Sequence, residues 1–371
     1  MSSTSVAETE TNVASESERG ALLLDSLEIK GYRCFEHLVV EKLGRVNLIV
    51  GKNSVGKTAL LEALGAYAHR GYHRILLELL YGREEMPLFF DENKQLMFPK
   101  DCVSGFSNLF IGYPQLNFDS NVSLSIGSFL SKRNKLKIYT IRTPNEGLVL
   151  VCELLRGDEM VLQTERFSFD DGRISFDTKM PPPMESRFIN SGGVPNPILA
   201  ALWDEIQLTE GQTKAVQALQ IINSSIENVG FVAFPKDGKE RIPVAVAKNL
   251  PQRKPLRSFG EGMHRLLGIA LSLANCQNGF LFIDEIENGL HYSIQPNVWR
   301  MIFQTARELN VQVFATTHSA DCVRAFQQAA EEDEQDEGIL IRLVRQNERI
   351  KALVFDEEAL GTVVEDNIEV R

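Results

Sequence analysis

Two stretches far apart in the chain carry the residue types that handle a nucleotide's phosphates. Gly51-Lys52-Asn53-Ser54-Val55-Gly56-Lys57-Thr58 fits the pattern GxxxxGK[ST]. Its glycines allow the backbone N–H groups of Asn53, Ser54, Val55 and Gly56 to curl around phosphate oxygens, and a following helix adds positive potential. Lys57 would reach the β- and γ-phosphates, and the Thr58 hydroxyl would ligate magnesium. The second stretch, Phe280-Leu281-Phe282-Ile283-Asp284-Glu285, is an apolar run ending in two carboxylates. Asp284 would hold magnesium through its water shell, and Glu285 would polarise an attacking water. Such a run is common by itself; it gains meaning because it and the phosphate loop must serve one metal.

Two further groups are open to plainer readings. Ser258 and Gly260, in Arg257-Ser258-Phe259-Gly260-Glu261, precede a helical pattern, where a serine can be an ordinary N-cap. A helix N-terminus is also an anion site. His318, in Thr316-Thr317-His318-Ser319, follows an apolar run, where a histidine is often a surface or capping residue.

These residues need a scaffold that brings strand ends together. The pattern predicts strands over 24–32 and 46–50 and a helix over 58–68. Residues 70–120 open with a helix-like apolar segment and then turn into loops. Residues 121–178 alternate apolar and polar with Asp-Gly and Asn-Glu-Gly turns, which predicts an antiparallel β-lobe. Two helical segments follow within 197–226. From 261 onward helices and short apolar strands alternate: helix 261–276, strand 280–283, helix 292–309, strand 311–316, helix 319–330. That alternation implies a parallel sheet layered with helices. Segments 339–344 and 350–355 read as a terminal hairpin.

The chain has 371 residues, 43% of them hydrophobic, enough for a large core. The formal charge of −11 is concentrated in residues 1–20, expected to be a disordered acidic tail, and in the run 331–337, expected to be a solvated loop. The rest is nearly neutral, with no basic tract of the kind that marks a duplex-binding face. Five scattered cysteines without a CxxC pair suggest reduced thiols. With no signal-like start and no apolar run of bilayer length, the chain is expected to be soluble and cytoplasmic. His37, His69, His73 and His264 are expected to be structural or surface residues.

Taken in order, these motifs resemble the ABC class of P-loop NTPases. Arg257–Glu261 is similar to its signature pentapeptide, with Phe259 in place of the first glycine and Arg257 in place of leucine. Glu287-Asn288-Gly289-Leu290-His291 resembles the D-loop, and 316–319 resembles the switch-histidine motif. Leu27-Glu28-Ile29-Lys30-Gly31-Tyr32-Arg33-Cys34-Phe35 resembles the opening of SMC, RecF and OLD-type ATPases, in which the residue matching Arg33 approaches the nucleotide. The C-terminal stretch is especially similar to stand-alone OLD-like proteins of the AAA family ATPase type.

The resemblance implies an α/β fold with a mixed central sheet, an antiparallel β-lobe and a helical insertion. It would form one ATPase head over 21–371: a phosphate-loop part over 21–69, a variable insertion over 70–250, and the remaining motifs over 251–371. It further implies ATP and magnesium as ligands and catalysis by Glu285 with His318. A homodimer is implied in which Ser258 and Gly260 face the partner's γ-phosphate. A separate effector protein or nucleic acid would be the regulated target, in genome maintenance or defence against phage. Phe259 leaves open a scaffold that senses ATP with little turnover. The long coiled coils of SMC heads are not expected, nor is the Toprim nuclease domain of OLD proteins. For the glutamine of the Q-loop, Gln95 and Gln115 are available, and neither has a deciding context.

Overall fold

In the computed structural model, residues 21–356 are described apart from 88, 91–95, 98–102, 117–120, 132–133, 146, 157–159, 169–173, 177–181, 234–237, 239, 249 and 333–337. The expected tail over 1–20, Gln95 and most of the acidic run 331–337 lie outside the described residues.

A six-stranded sheet runs through the middle of the molecule in the order Ser186–Ile189, Phe280–Ile283, Gln312–Thr316, Val46–Val50, Gly338–Gln346, Arg349–Phe355. All neighbours are parallel except the last pair. Its inner strands are continuous apolar runs because both faces are covered. Alternation at period two sends successive residues to opposite cores. Leu281, Ile283, Val313, Ala315, Leu48 and Val50 face helices Asn196–Ile206, Glu210–Gln220, Glu261–Ala274, Gln295–Glu308 and Ala320–Glu331. Phe280, Phe282, Phe314 and Ile49 face helix Lys57–Ala68 and a second sheet. The Phe280, Phe282 and Phe314 rings pack against one another with centroids 5.9–6.2 Å apart.

The second sheet has seven strands, all antiparallel, and joins the N-terminal strands Leu27–Tyr32 and Phe35–Val40 to the β-lobe predicted over 121–178, whose strands run from Ser123 to Phe176. Between the two sheets lies helix Lys57–Ala68, buried on nearly every side, which is why its sequence is apolar all round rather than striped.

Two features go beyond the expectations. The terminal hairpin forms as expected, Gly338–Gln346 against Arg349–Phe355, and what the pattern did not indicate is that its first strand also adds in parallel to Val46–Val50 and completes the central sheet. Strands Ser186–Ile189, Ile226–Ala233 and Arg241–Ala247 were not anticipated. The first is four residues long, begins with polar Ser186 and Arg187, and shows no alternation to read. Cys34, Cys152, Cys276 and Cys322 are free thiols. Burial pushes Cys276 and Cys322 up to about 12, so neither is a reactive thiolate.

Candidate functional site

Parallel strands place everything at their C-terminal ends along one edge of the sheet. Strand Val46–Val50 delivers the glycine-rich loop, Phe280–Ile283 delivers Asp284 and Glu285, and Gln312–Thr316 between them delivers His318. Asn53, Ser54, Gly56, Lys57, Thr58, Glu285, His318 and Arg33 line one cleft of about 570 Å³. Residues separated by more than two hundred positions in sequence thus share one space.

The loop turns on Gly56, which has φ 103° and leads directly into the helix. A Cβ there would sit 2.8 Å from Cys34 Sγ and 2.9 Å from Phe35 Cζ, so only glycine fits. Val55 is buried beneath the loop, while Asn53 and Ser54 are exposed at its crest.

Lys57 is 5% exposed. Its ammonium donates to Gly51 O at 2.7 Å and Lys52 O at 3.1 Å, and lies 3.4 Å from His318 Nδ1. Burial pulls its pKa down, only partly offset by Asp284, Glu285 and Glu287. A desolvated cation held on carbonyl oxygens is suited to an anionic ligand that would take their place.

Thr58 Oγ1 donates to Asp284 Oδ2 at 3.2 Å. A hydroxyl and a carboxylate at this separation form a hard-oxygen pair of the kind magnesium takes. Asp284 Oδ1 also accepts from Thr316 Oγ1 at 2.6 Å, and Thr316 Oγ1 accepts from the Glu285 N–H at 2.8 Å. Buried Thr316 thereby orients the Asp284 carboxylate and the Glu285 backbone, a role the sequence did not single out.

Glu285 holds a left-handed backbone, φ 49°. Asn288 Nδ2 donates to its Oε2 at 2.8 Å, leaving Oε1 to face His318 Nε2 at 3.8 Å. The Lys57 ammonium lies at Nδ1, an arrangement that suits a ring proton on Nε2, towards Glu285. His318 is not the cap of the next helix. Ser319 is, accepting from the Cys322 N–H, and that leaves the imidazole in the cleft. The His318 N–H donates to Glu287 Oε1 at 2.8 Å.

Arg265 is the largest omission of the sequence reading. Buried within helix Glu261–Ala274, it donates to Asn190 O at 2.6 Å, Asp284 O at 2.8 Å and Glu285 O at 3.0 Å. Its signal was a charged side chain in a largely apolar helix, which requires partners once buried. Replacing it with leucine strands three carbonyls around the strained Glu285. Urea denaturation is expected to show a loss of about 3 kcal/mol; a loss under ~0.5 kcal/mol would mean the contacts are idle.

Ser258 and Gly260 are exposed and do not line the cleft. Ser258 is not an N-cap either: it sits in the 3-10 turn Leu256–Phe259, and the helix starts after Gly260 with no side-chain cap. Phe259 turns partly into the core. A Cβ on Gly262 would lie 2.6 Å from Gly289 O, so the start of this helix and the loop 287–291 are in direct contact. His37, His69, His73 and His264 pair with Glu28, Ser186, Glu165 and Asn196 outside the site.

Residues 214–321 match the family model described as "AAA domain, putative AbiEii toxin, Type IV TA system", and residues 26–68 match one described as "AAA domain". An ATP/GTP phosphatase of Helicobacter pylori is 24% identical over 344 residues, 84% of this chain and 89% of that protein. The RecF DNA replication and repair protein of Bacillus mycoides is 38% identical over 53 residues, 14% of each chain. Among solved structures, an SMC head bound to the C-winged helix domain of ScpA aligns over 91% of this chain and 99% of that one, with TM-score 0.49 and 12% identity. The SMC head of Thermotoga maritima aligns with TM-score 0.41 and 12% identity. The AAA-domain matches and the glycine-rich loop between strand Val46–Val50 and helix Lys57–Ala68 make the fold that of a P-loop ATPase. No helix among the described residues is long and apolar enough to cross a membrane.

Proposed function

We propose that this ATPase works as a switch in which two copies close head to head on two ATP molecules and part after hydrolysis. Each nucleotide is held by Lys57 and Thr58 of one copy and by Ser258 and Gly260 of the other. The observation that carries this reading is the position of His318, 3.4 Å from the Lys57 ammonium and 3.8 Å from Glu285, in the same cleft as Thr58.

Lys57 neutralises charge on the β- and γ-phosphates, and the backbone N–H groups of 53–56 orient them. Glu285 accepts a proton from the attacking water through Oε1, while Asn288 keeps Oε2 in place. His318 offers its Nε2–H beside the same oxygen, where the γ-phosphoryl charge would develop. Thr58 and Asp284 would hold magnesium, which would supply charge neutralisation for the phosphates.

The uncapped, exposed start of helix Glu261–Ala274 supports a role in trans, because an anion can reach it only from outside this chain. Closure would act on a separate effector or a nucleic-acid process, in genome maintenance or phage defence. Purified protein with ATP and magnesium, followed by phosphate release and by light scattering, tests both halves. Turnover that Glu285→Gln abolishes, with ATP-dependent dimers, is the expected result. Dimers without turnover would instead favour a sensing scaffold, the reading that inward-turned Phe259 supports.

A further inference from the structure

A second set of charges lines the same cleft and takes no part in the chemistry above. Arg33 ends strand Leu27–Tyr32 and is only 4% exposed. Its Nη1 is forked onto both oxygens of Glu85, at 2.8 and 3.0 Å, and its Nε lies 3.0 Å from Glu62 Oε2. Glu62 Oε1 accepts from Arg83 Nε at 2.6 Å. Arg33, Arg83 and Glu85 all line the cleft that holds Lys57 and Thr58. The two arginines and two glutamates neutralise each other with no ligand in the group.

Two details leave room for a second arrangement. Arg33 Nη2 is buried with no hydrogen-bond partner among the described residues, an orphaned donor that another acceptor would satisfy. Arg33 and Glu84 also hold left-handed backbones, φ 48° and 59°, strain of the kind found at switching elements. A carboxylate and a phosphate oxygen compete for the same guanidinium fork. A nucleotide entering this cleft brings several negative charges beside Glu85, and the two cannot share Arg33 at low cost.

We propose that Glu85 is a built-in competitor for the nucleotide: it occupies Arg33 in the ligand-free protein and is displaced when phosphate arrives. The inference rests on the nucleotide reading of the cleft. Displacement frees the turn 83–86, which continues helix His73–Gly82. The nucleotide thereby acts on helix His73–Gly82 in the variable insertion.

Calorimetric titration of wild type, Glu85→Gln and Glu85→Asp with ATP and magnesium tests this. Glu85→Gln is expected to bind about five- to tenfold more tightly, the gain when a competent state populated at roughly 10–20% becomes dominant. Glu85→Asp keeps the charge and should stay near wild type. In wild type, hydrogen exchange at the Glu84 and Glu85 amides, now bonded to Tyr81 O and Leu80 O, should accelerate when nucleotide binds. That measurement decides the matter even if Glu85→Gln fails to fold. Equal or weaker binding by Glu85→Gln, or slower exchange at both amides, overturns the proposal while leaving the ATPase reading intact. A wild-type protein that binds no ATP overturns the nucleotide reading and this inference with it.

Discussion

Exchanging Glu285 for glutamine is expected to lower steady-state ATP turnover by about 10²–10⁴-fold, the usual contribution of a positioned general base. The geometry makes this a chemical loss rather than a structural one. Asn288 grips Oε2 and Thr316 fixes the backbone N–H, and both contacts survive in the amide's shape. Only the proton-accepting capacity of Oε1 beside His318 disappears. Nucleotide affinity should stay close to wild type, and size-exclusion with ATP and magnesium should show dimers accumulating. Turnover within about threefold of wild type would remove Glu285 from the role of base. A variant that stays monomeric at saturating ATP would remove the sandwich.

Lys57→Ala should weaken ATP binding by at least about tenfold, because each charge-assisted contact to phosphate contributes ~1.5–3 kcal/mol. The wild-type ammonium is already desolvated, so no solvation is lost when phosphates replace its two carbonyl partners. The same burial gives a pH signature. The free protein's Lys57 titrates below its ordinary range, and bound phosphates favour its charged form. Above that lowered pKa, binding must therefore take up a proton, and wild-type affinity should fall as pH rises; the alanine variant should lose this dependence. Unchanged affinity in calorimetry would withdraw the phosphate-loop assignment.

The parts of the site visible in the sequence are those whose chemistry forces a local pattern. A loop that wraps phosphate needs glycines at fixed offsets, and a strand buried on both faces needs an uninterrupted apolar run, so 46–58 and 280–285 could be read directly. Thr316 and Arg265 act on Asp284 and Glu285 from other elements, and Asn288 grips Glu285 within its own turn; none of these roles was legible, because residue identity does not record which partner a side chain meets. Arg265 makes its bonds to backbone carbonyls, which leave no trace in residue identity. Strand Ser186–Ile189 was hidden for a related reason: at the sheet's edge it covers one neighbour only, so its composition is mixed. Arg33 was marked by resemblance as a nucleotide residue. Its Glu85 and Glu62 partners, on a turn and on a buried helix, could not be anticipated.

Strand Val46–Val50 lies between Gln312–Thr316 and Gly338–Gln346. During synthesis, at roughly 5–20 residues per second, the phosphate loop therefore leaves the ribosome tens of seconds before either neighbour exists. Until then its apolar strand has two open edges and nothing to cover them, a hazard shared by sheets of high contact order. A nascent chain has the loop's sequence but not the platform that shapes it. A nucleotide bound at this site would therefore stabilise only molecules whose C-terminal strands have already docked, so it would not template folding but would reward its completion.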